Sequence, residues 1–376
     1  MKIDQIELRL LQIPLKYPFE TSFGRFTSRE CIFVSAFGEG AVGYAECVAM
    51  SSPYYNEETT GTAWHLLRNF FIPVLFKNTI EHPQQIAKVL SPIRGNYMAL
   101  SSLESALWDL YCKQQNISLS SALGGTRTKI DVGVSIGIEP SVQHVLDNVE
   151  RFISEGYKKI KVKIKPGFDI SLISAIREKF GTKVLLMADA NSAYTLNDIS
   201  IFKELDQFHL LMIEQPLAHD DIIDHAKLQA ELQTPICLDE SILTLDDARH
   251  AIELGSCRTI NIKIGRVGGL ARSKEIHDLC AQHHIPVWCG GMFEMGVGKA
   301  HNIAIASLPN FSIPGDTSPS KRHWAEDIVE PALDFSEPGC LNVPTGAGIG
   351  YDVNQEMLDK FTVRRENFVA QIASSS

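Results

Sequence analysis

Lys158-Lys159-Ile160-Lys161-Val162-Lys163-Ile164-Lys165 is the stretch on which the reading of this chain turns. Its lysines alternate with β-branched residues, so as a strand it points Lys161 and Lys163 to one face. A lone strand of this kind reads as a sheet edge with solvated lysines. This one begins a series. Met187-Ala188-Asp189-Ala190-Asn191, Met212-Ile213-Glu214-Gln215-Pro216, Cys237-Leu238-Asp239-Glu240-Ser241 and Ile260-Asn261-Ile262-Lys263-Ile264-Gly265-Arg266 follow it, each a short apolar run closed by a charged residue. Lys163, Asp189, Glu214, Asp239 and Lys263 stand 26, 25, 25 and 24 residues apart. That period is one strand, one helix and two loops. In a closed barrel of parallel strands it carries the last residue of every strand to the same rim.

Each acid alone reads as a helix N-cap in a βα loop. Three such caps rarely share the last position of three successive strands. The spacing therefore predicts three carboxylates around one point with an ammonium group on either side. Oxygen-only ligands suit a hard cation such as Mg²⁺, and a set without His or Cys disfavours zinc. A substrate carboxylate on that ion would let a lysine take the proton from the adjacent carbon, leaving an enediolate. The second lysine would then deliver a proton to the opposite face, or remain a cation while a leaving group departs. Arg266, three residues beyond Lys263, could tune that balance; its other reading is a surface loop arginine.

Working outward, strand–helix alternation predicts barrel strands over 130–136, 159–164, 184–188, 210–213, 236–238, 259–262, 286–289 and, weakly, 311–314. Eight regular strands argue for an α/β barrel, a modified TIM (β/α)7-8 barrel, over the alternative of an open α/β sheet. Upstream, strands are expected over 3–11, 30–37 and 41–47, the last two joined by the Gly38-Glu39-Gly40 turn. A polar-aromatic loop is expected over 18–26, and a helix over 99–115 with Leu100, Leu103, Leu107, Leu110 and Tyr111 on one face. Strands then helices make an N-terminal α+β capping domain. The expected divisions are 1–125 for that lid, 126–320 for the barrel with the metal site, and 321–376 for a segment returning to the lid.

The length of 376 residues accommodates a barrel of roughly 250 residues and one further domain. A net charge of −10 argues against a nucleic-acid binder. It permits an anionic substrate, because pocket charges are local. Met1 to Glu7 alternates as a strand rather than a signal peptide, and no apolar run has the length of a membrane span. Eight cysteines without a C-x-x-C pair read as reduced core residues of a cytoplasmic protein. Gly296-Val297-Gly298-Lys299 and Gly265-Arg266-Val267-Gly268-Gly269 complete no phosphate-binding or dinucleotide pattern and read as βα loops; His283-His284 reads as helix-end surface.

These motifs together resemble the enolase superfamily, in its muconate-lactonising-like branch with paired lysines. The likeness is strongest to the o-succinylbenzoate synthase and N-succinylamino acid racemase family, and it covers essentially the whole chain. It includes Pro18-Phe19-Glu20-Thr21-Ser22-Phe23-Gly24, Glu104-Ser105-Ala106-Leu107-Trp108-Asp109-Leu110, Gly290-Gly291-Met292-Phe293-Glu294 and Gly296-Val297-Gly298-Lys299-Ala300-His301-Asn302. The resemblance implies that Asp189, Glu214 and Asp239 bind Mg²⁺, with Mn²⁺ as a substitute. It makes Lys163 the base and Lys263 either the stabilising cation or the second acid/base. It implies that Lys161 contacts the substrate carboxylate, that Asn191 supports the site, and that Arg266 and Glu240 stand behind it. Ser135, Gly291 and Met292 would line the pocket, and Phe23, Met50 and Tyr55 would close it from the lid. The implied reaction is dehydration of 2-succinyl-6-hydroxy-2,4-cyclohexadiene-1-carboxylate to 2-succinylbenzoate, a step of menaquinone biosynthesis. Racemisation of N-succinylamino acids is the alternative, alone or as a second activity. A dipeptide epimerase is disfavoured, because that group carries Asp-x-Asp where this chain has Asp316-Thr317-Ser318. A non-catalytic carboxylate-binding barrel has no use for a lysine on each face. The partners expected are a small-molecule carboxylate and further copies of the chain as a homo-oligomer, with neither nucleic acid nor membrane.

Overall fold

Three antiparallel strands open the chain: β1 (Gln5–Thr21), β2 (Gly24–Gly38) and β3 (Ala41–Cys47). The computed structural model describes residues 1–21 and 24–370. β1 and β2 extend into the loop expected over 18–26, so its described residues 19–21 and 24–26 are paired strand. Pairing lapses between Pro14 and Phe19, where Pro14 and Pro18 lack amide donors, and resumes at Phe19↔Phe26 and Glu20↔Arg25. The C-terminal strand Thr362–Val369 pairs antiparallel with β1, making a four-stranded sheet.

Helix α1 (Tyr97–Gln114) packs its Leu100, Leu103, Leu107 and Leu110 into the core beside that sheet. Approach to β3 is close enough that a Cβ on Gly43 would overlap Ala106 O and Leu110 N. Only glycine satisfies that contact. The carboxylate of Glu58 caps α1, accepting from Met98 N (2.9 Å) and Ala99 N (3.1 Å).

The barrel sheet follows as β4 (Gly133–Ile136), β5 (Lys159–Lys163), β6 (Leu185–Asp189), β7 (Ile213–Glu214), β8 (Ile236–Leu238), β9 (Thr259–Ile262) and β10 (Val287–Cys289). All neighbours are parallel and the spatial order is the sequence order. Two expectations need correction here. The stretch 130–136 is two strands, because Lys129–Asp131 leaves the barrel to pair antiparallel with Cys340–Asn342. The stretch 311–314 forms no strand, so among the described residues the sheet has seven strands rather than eight. Pro314 cannot donate to a ladder. The gap between β4 and β10 is bridged one residue later by single hydrogen bonds, Gly133 N to Gly315 O (2.6 Å) and Asp316 N to Cys289 O (2.9 Å).

Inside the barrel, Met187, Met212, Cys237 and Trp288 form a small apolar cluster. Met187, Met212 and Cys237 each lie two residues before an acid, so strand alternation puts them directly beneath the carboxylates. Two glutamates tie the halves together. Glu104 of α1 accepts from Leu270 N (2.8 Å) and Ala271 N (3.0 Å), capping helix Leu270–Gln282. Glu46 of β3 accepts from Met295 N (3.0 Å) and Gly298 N (2.7 Å), capping α2 (Gly296–Ala306). All eight cysteines are buried and unpaired. No helix among the described residues is long and apolar enough to cross a membrane.

Candidate active site

The ladder registers set the charged row. Lys163 at the end of β5 stands opposite Asp189 at the end of β6, and Asp189 opposite Glu214 at the end of β7. Asp239 and Lys263 immediately follow β8 and β9. All five side chains are buried. The chain turns sharply after β6 and β7, where Asn191 (φ 41°) and Gln215 (φ 36°) take the left-handed conformation.

Charge pairs fill the row. Lys163 Nζ donates to Asp189 and to Asn191 Oδ1 (2.6 Å), whose amide donates to Glu240 Oε1 (3.1 Å). Lys161 Nζ lies 3.2 Å from Glu214 Oε2 and 3.6 Å from Asp189 Oδ2. At the far end, Lys263 Nζ donates to Asp239 Oδ2 (2.7 Å) and to the Tyr55 hydroxyl (3.1 Å). Arg266 also donates to Asp239, and its Nε to Ile242 O (2.8 Å). Arg266 and Lys263 therefore share one carboxylate. Asn261 Nδ2 donates to Glu214 Oε1 (2.7 Å). Gly290 permits β10 to close on this pair, since a Cβ there would lie 2.5 Å from Asn261 Oδ1 and 2.8 Å from Lys263 Cε.

Buried charges hold only when paired, and the shifts follow the pairs. Burial opposes the charge of Asp189, but Lys163 and Lys161 hold its carboxyl below the usual range. Burial raises Glu214, and the Asp189 charge raises it further. Burial works against the Lys263 ammonium, yet Tyr55, Glu240 and Glu214 hold it charged. Lys161 is likewise held charged against burial, by Asp316, Glu214 and Asp189. The ammonium groups thus neutralise the carboxylates directly. In this arrangement no group of three or more His, Cys, Asp or Glu side chains among the described residues is set to hold a metal ion. The expected sharing of one ion by Asp189, Glu214 and Asp239 requires the lysines to draw back.

A cavity lies over the lysines. Met50, Tyr55 and Phe19 reach it from the N-terminal sheet and its loops, and Ser135, Asn191 and Gly291 from the barrel. Met292, expected in the lining, instead packs into the core of the N-terminal sheet, where an apolar side chain gains more from burial. Glu240 and Arg266 stand outside the cavity, behind Asn191 and Asp239. Phe23 lies outside the described residues.

Sequence reasoning missed several cavity residues. Asp316 bonds Lys161 (2.6 Å) and lies 3.3 Å from Lys159, whose Nζ sits 3.6 Å over the Trp288 ring. Those lysines bring its carboxyl, against burial, down to about 2. Phe293 (φ 60°) packs edge-on against Phe19 with centroids 5.0 Å apart. Lys299 lies at the end of the first turn of α2 rather than in a loop, and it lines the cavity with Arg322 and His323. A third buried lysine on β5 and a cation in the first turn of a helix were visible signals; nothing local marked Arg322.

The chain matches two adjoining families in tandem: the mandelate racemase/muconate lactonizing enzyme N-terminal domain over residues 5–124, and the enolase C-terminal domain-like family over 144–357. It is 54% identical over 363 residues to an o-succinylbenzoate synthase of Geobacillus stearothermophilus, covering 96% of each chain. It is 47% identical to an N-succinylamino acid racemase of Thermus thermophilus, covering 96% of this chain and 98% of that one. A crystal structure of an enolase superfamily member from Listeria innocua superposes with a TM-score of 0.95 at 42% identity, covering 99% of this chain and all of the other. A row of acids at successive strand ends, a lysine at each end of the row and these likenesses across both halves lead to one assignment: the chain belongs to the enolase superfamily.

Proposed function

We propose that this protein is a Mg²⁺-dependent o-succinylbenzoate synthase of the cytoplasm, converting 2-succinyl-6-hydroxy-2,4-cyclohexadiene-1-carboxylate to 2-succinylbenzoate. The observation that carries the reading is the in-register row Lys163–Asp189–Glu214, continued by Asp239 and closed by Lys263. Its support from likeness is the o-succinylbenzoate synthase at 54% identity. We read residues 1–125 as a lid over a barrel of 126–320, with 321–376 returning to the lid.

The residues fit a hard divalent ion. Asp189, Glu214 and Asp239 offer oxygen alone. Glu240 Oε2 and Asn261 Oδ1 are buried acceptors beside them without a donor. Glu214 is raised by burial and by Asp189, a repulsion that added positive charge relieves. Asp189, Glu214 and Asp239 would hold the ion, which when bound supplies Lewis-acid stabilisation of the enediolate.

Lys163 takes the proton from the carbon bearing the substrate carboxylate. Lys263, held charged by Tyr55, Glu240 and Glu214, stabilises the negative charge that develops. Lys163 then returns its proton to the departing hydroxyl on the same face. The C–O bond breaks, water leaves and the ring becomes aromatic. Lys161 orients the substrate carboxylate.

Purified protein with Mg²⁺ is expected to convert the cyclohexadiene to 2-succinylbenzoate, followed by the loss of the diene chromophore. An unchanged substrate rejects the assignment. The second reading, racemisation of N-succinylamino acids, is favoured by lysines at both ends of the row and by the racemase at 47% identity. It predicts α-deuterium incorporation from D₂O into both enantiomers; exchange with neither rejects it.

A further inference from the structure

Several buried polar groups that line the cavity have no partner among the described residues. Thr317 Oγ1, Arg322 Nε and His323 Nδ1 are all buried with no hydrogen-bond partner among the described residues. All three residues line the cavity that holds Lys161, Lys163 and Lys263, and so does Lys299. Such groups are rare in a finished interior, and each one calls for a ligand or another explanation. Lys299, 3% exposed, has one side-chain hydrogen bond among the described residues, from Nζ to Pro319 O at 3.3 Å. Among the described residues Arg322 donates to Ser135 O alone, at 3.4 Å, and lays its guanidinium over the Phe152 ring. Neither cation makes an ion pair within 4.0 Å among the described residues, unlike Lys161, Lys163 and Lys263.

The nearby carboxylates are already engaged. Glu46 pairs with Arg29 and caps α2. Asp327 accepts from Gly296 N, Ile328 N and the Ser320 hydroxyl. Glu294 accepts from Met292 N. Burial lowers Lys299 to about 8 despite Asp327, Glu294 and Glu46, and burial with Arg322 and Lys299 keeps His323 neutral. This is an excess of buried donors seeking an acceptor.

We propose that Lys299, Arg322, Thr317 and His323 form an anion subsite that receives a second carboxylate of the substrate, making this site selective for dicarboxylates. The inference rests on the reading of the site given above, and it names the residues that distinguish a succinyl chain from an uncharged acyl chain of the same length. Arg322 and Lys299 supply the charge, and the Thr317 hydroxyl and the His323 ring supply neutral hydrogen bonds. An interior carboxylate held by charge-assisted bonds binds well above its uncharged isostere, by about tenfold to a hundredfold.

Equilibrium binding by calorimetry in the presence of Mg²⁺ tests this with 2-succinylbenzoate and 2-butanoylbenzoate, which differ in the terminal carboxylate. The intact protein is expected to prefer the succinyl compound at least tenfold. Arg322→Gln and Lys299→Met are each expected to reduce that preference about tenfold while leaving 2-butanoylbenzoate binding within threefold. Lys299→Arg, which keeps the charge, is expected to retain most of the preference. Equal binding of the two ligands by the intact protein overturns the subsite, as does full preference in both variants. Should Lys299→Met not fold, Arg322→Gln decides, because Arg322 stands on a partly exposed segment. Preference for the succinyl ligand without turnover of the cyclohexadiene would reject the assigned reaction and leave the subsite standing.

Discussion

Lys163 and Lys263 meet the acidic row from its two ends, and their surroundings differ. Lys163 is bonded to Asp189 and Asn191, side chains on the neighbouring strand and the turn beyond it. Lys263 donates to Asp239 and to the Tyr55 hydroxyl, and Tyr55, Glu240 and Glu214 hold it charged against burial. Lys163→Ala is expected to lower turnover by at least about a thousandfold, the scale of a lost general base. Mg²⁺ and 2-succinylbenzoate should still bind within a few-fold by calorimetry. Lys263→Arg keeps a permanent cation that cannot exchange a proton. It is expected to retain dehydration within about a hundredfold while racemisation falls by at least about a thousandfold. Parallel rate assays check this; equal losses would mean that Lys263 transfers a proton in both reactions.

At the scale of elements, Glu46 and Glu104 carry the contact between sheet and barrel, each ending a barrel helix from outside it. Glu104 also accepts from Trp108 Nε1 at 2.8 Å. Glu104→Ala would leave two backbone amides and an indole without an acceptor, a cost of about 3 kcal/mol or more, read as a lower urea midpoint. Burial raises the carboxyls of Glu104 and Glu58 to about 7, against the amides that oppose the shift. A raised carboxyl binds its proton more tightly folded than unfolded. Its contribution is complete below about 4.5 and is lost as pH rises through about 7. For Glu104 the rise from 4.5 to about 7 is on the order of 3 kcal/mol. Melting temperature is therefore expected to fall between pH 5 and pH 8, and Glu104→Gln to flatten part of that slope. An unchanged slope would assign the dependence to other groups.

For the whole molecule, a divalent ion held by the acidic row would bind only when β6, β7 and the turn after β8 are assembled. Mg²⁺ is expected to raise the melting temperature, with about 2.7 kcal/mol of added stability when the free ion is 100 times its dissociation constant. Excess EDTA should return the protein to its starting value, and Asp189→Asn should abolish the effect. A Mg²⁺ response that survives Asp189→Asn would place the ion elsewhere.

Amino-acid order alone determined the row Lys163, Asp189, Glu214, Asp239 and Lys263, the parallel barrel beneath it and the α+β lid. These follow from local rules, because a strand of fixed pitch repeated at a constant period brings its last residues to one level. Tertiary structure decided the rest. Pro314 and Gly315 could not announce that the eighth strand would dissolve into single hydrogen bonds. Met292 carried no mark of burial in the lid rather than exposure in the pocket. The lysines' hold on the carboxylates, and the convergence of Lys299, Arg322 and His323 on one cavity, join residues far apart in the chain. Periodicity reports which way a side chain leaves its own strand; which charge it meets depends on how distant segments pack, and no local pattern encodes that.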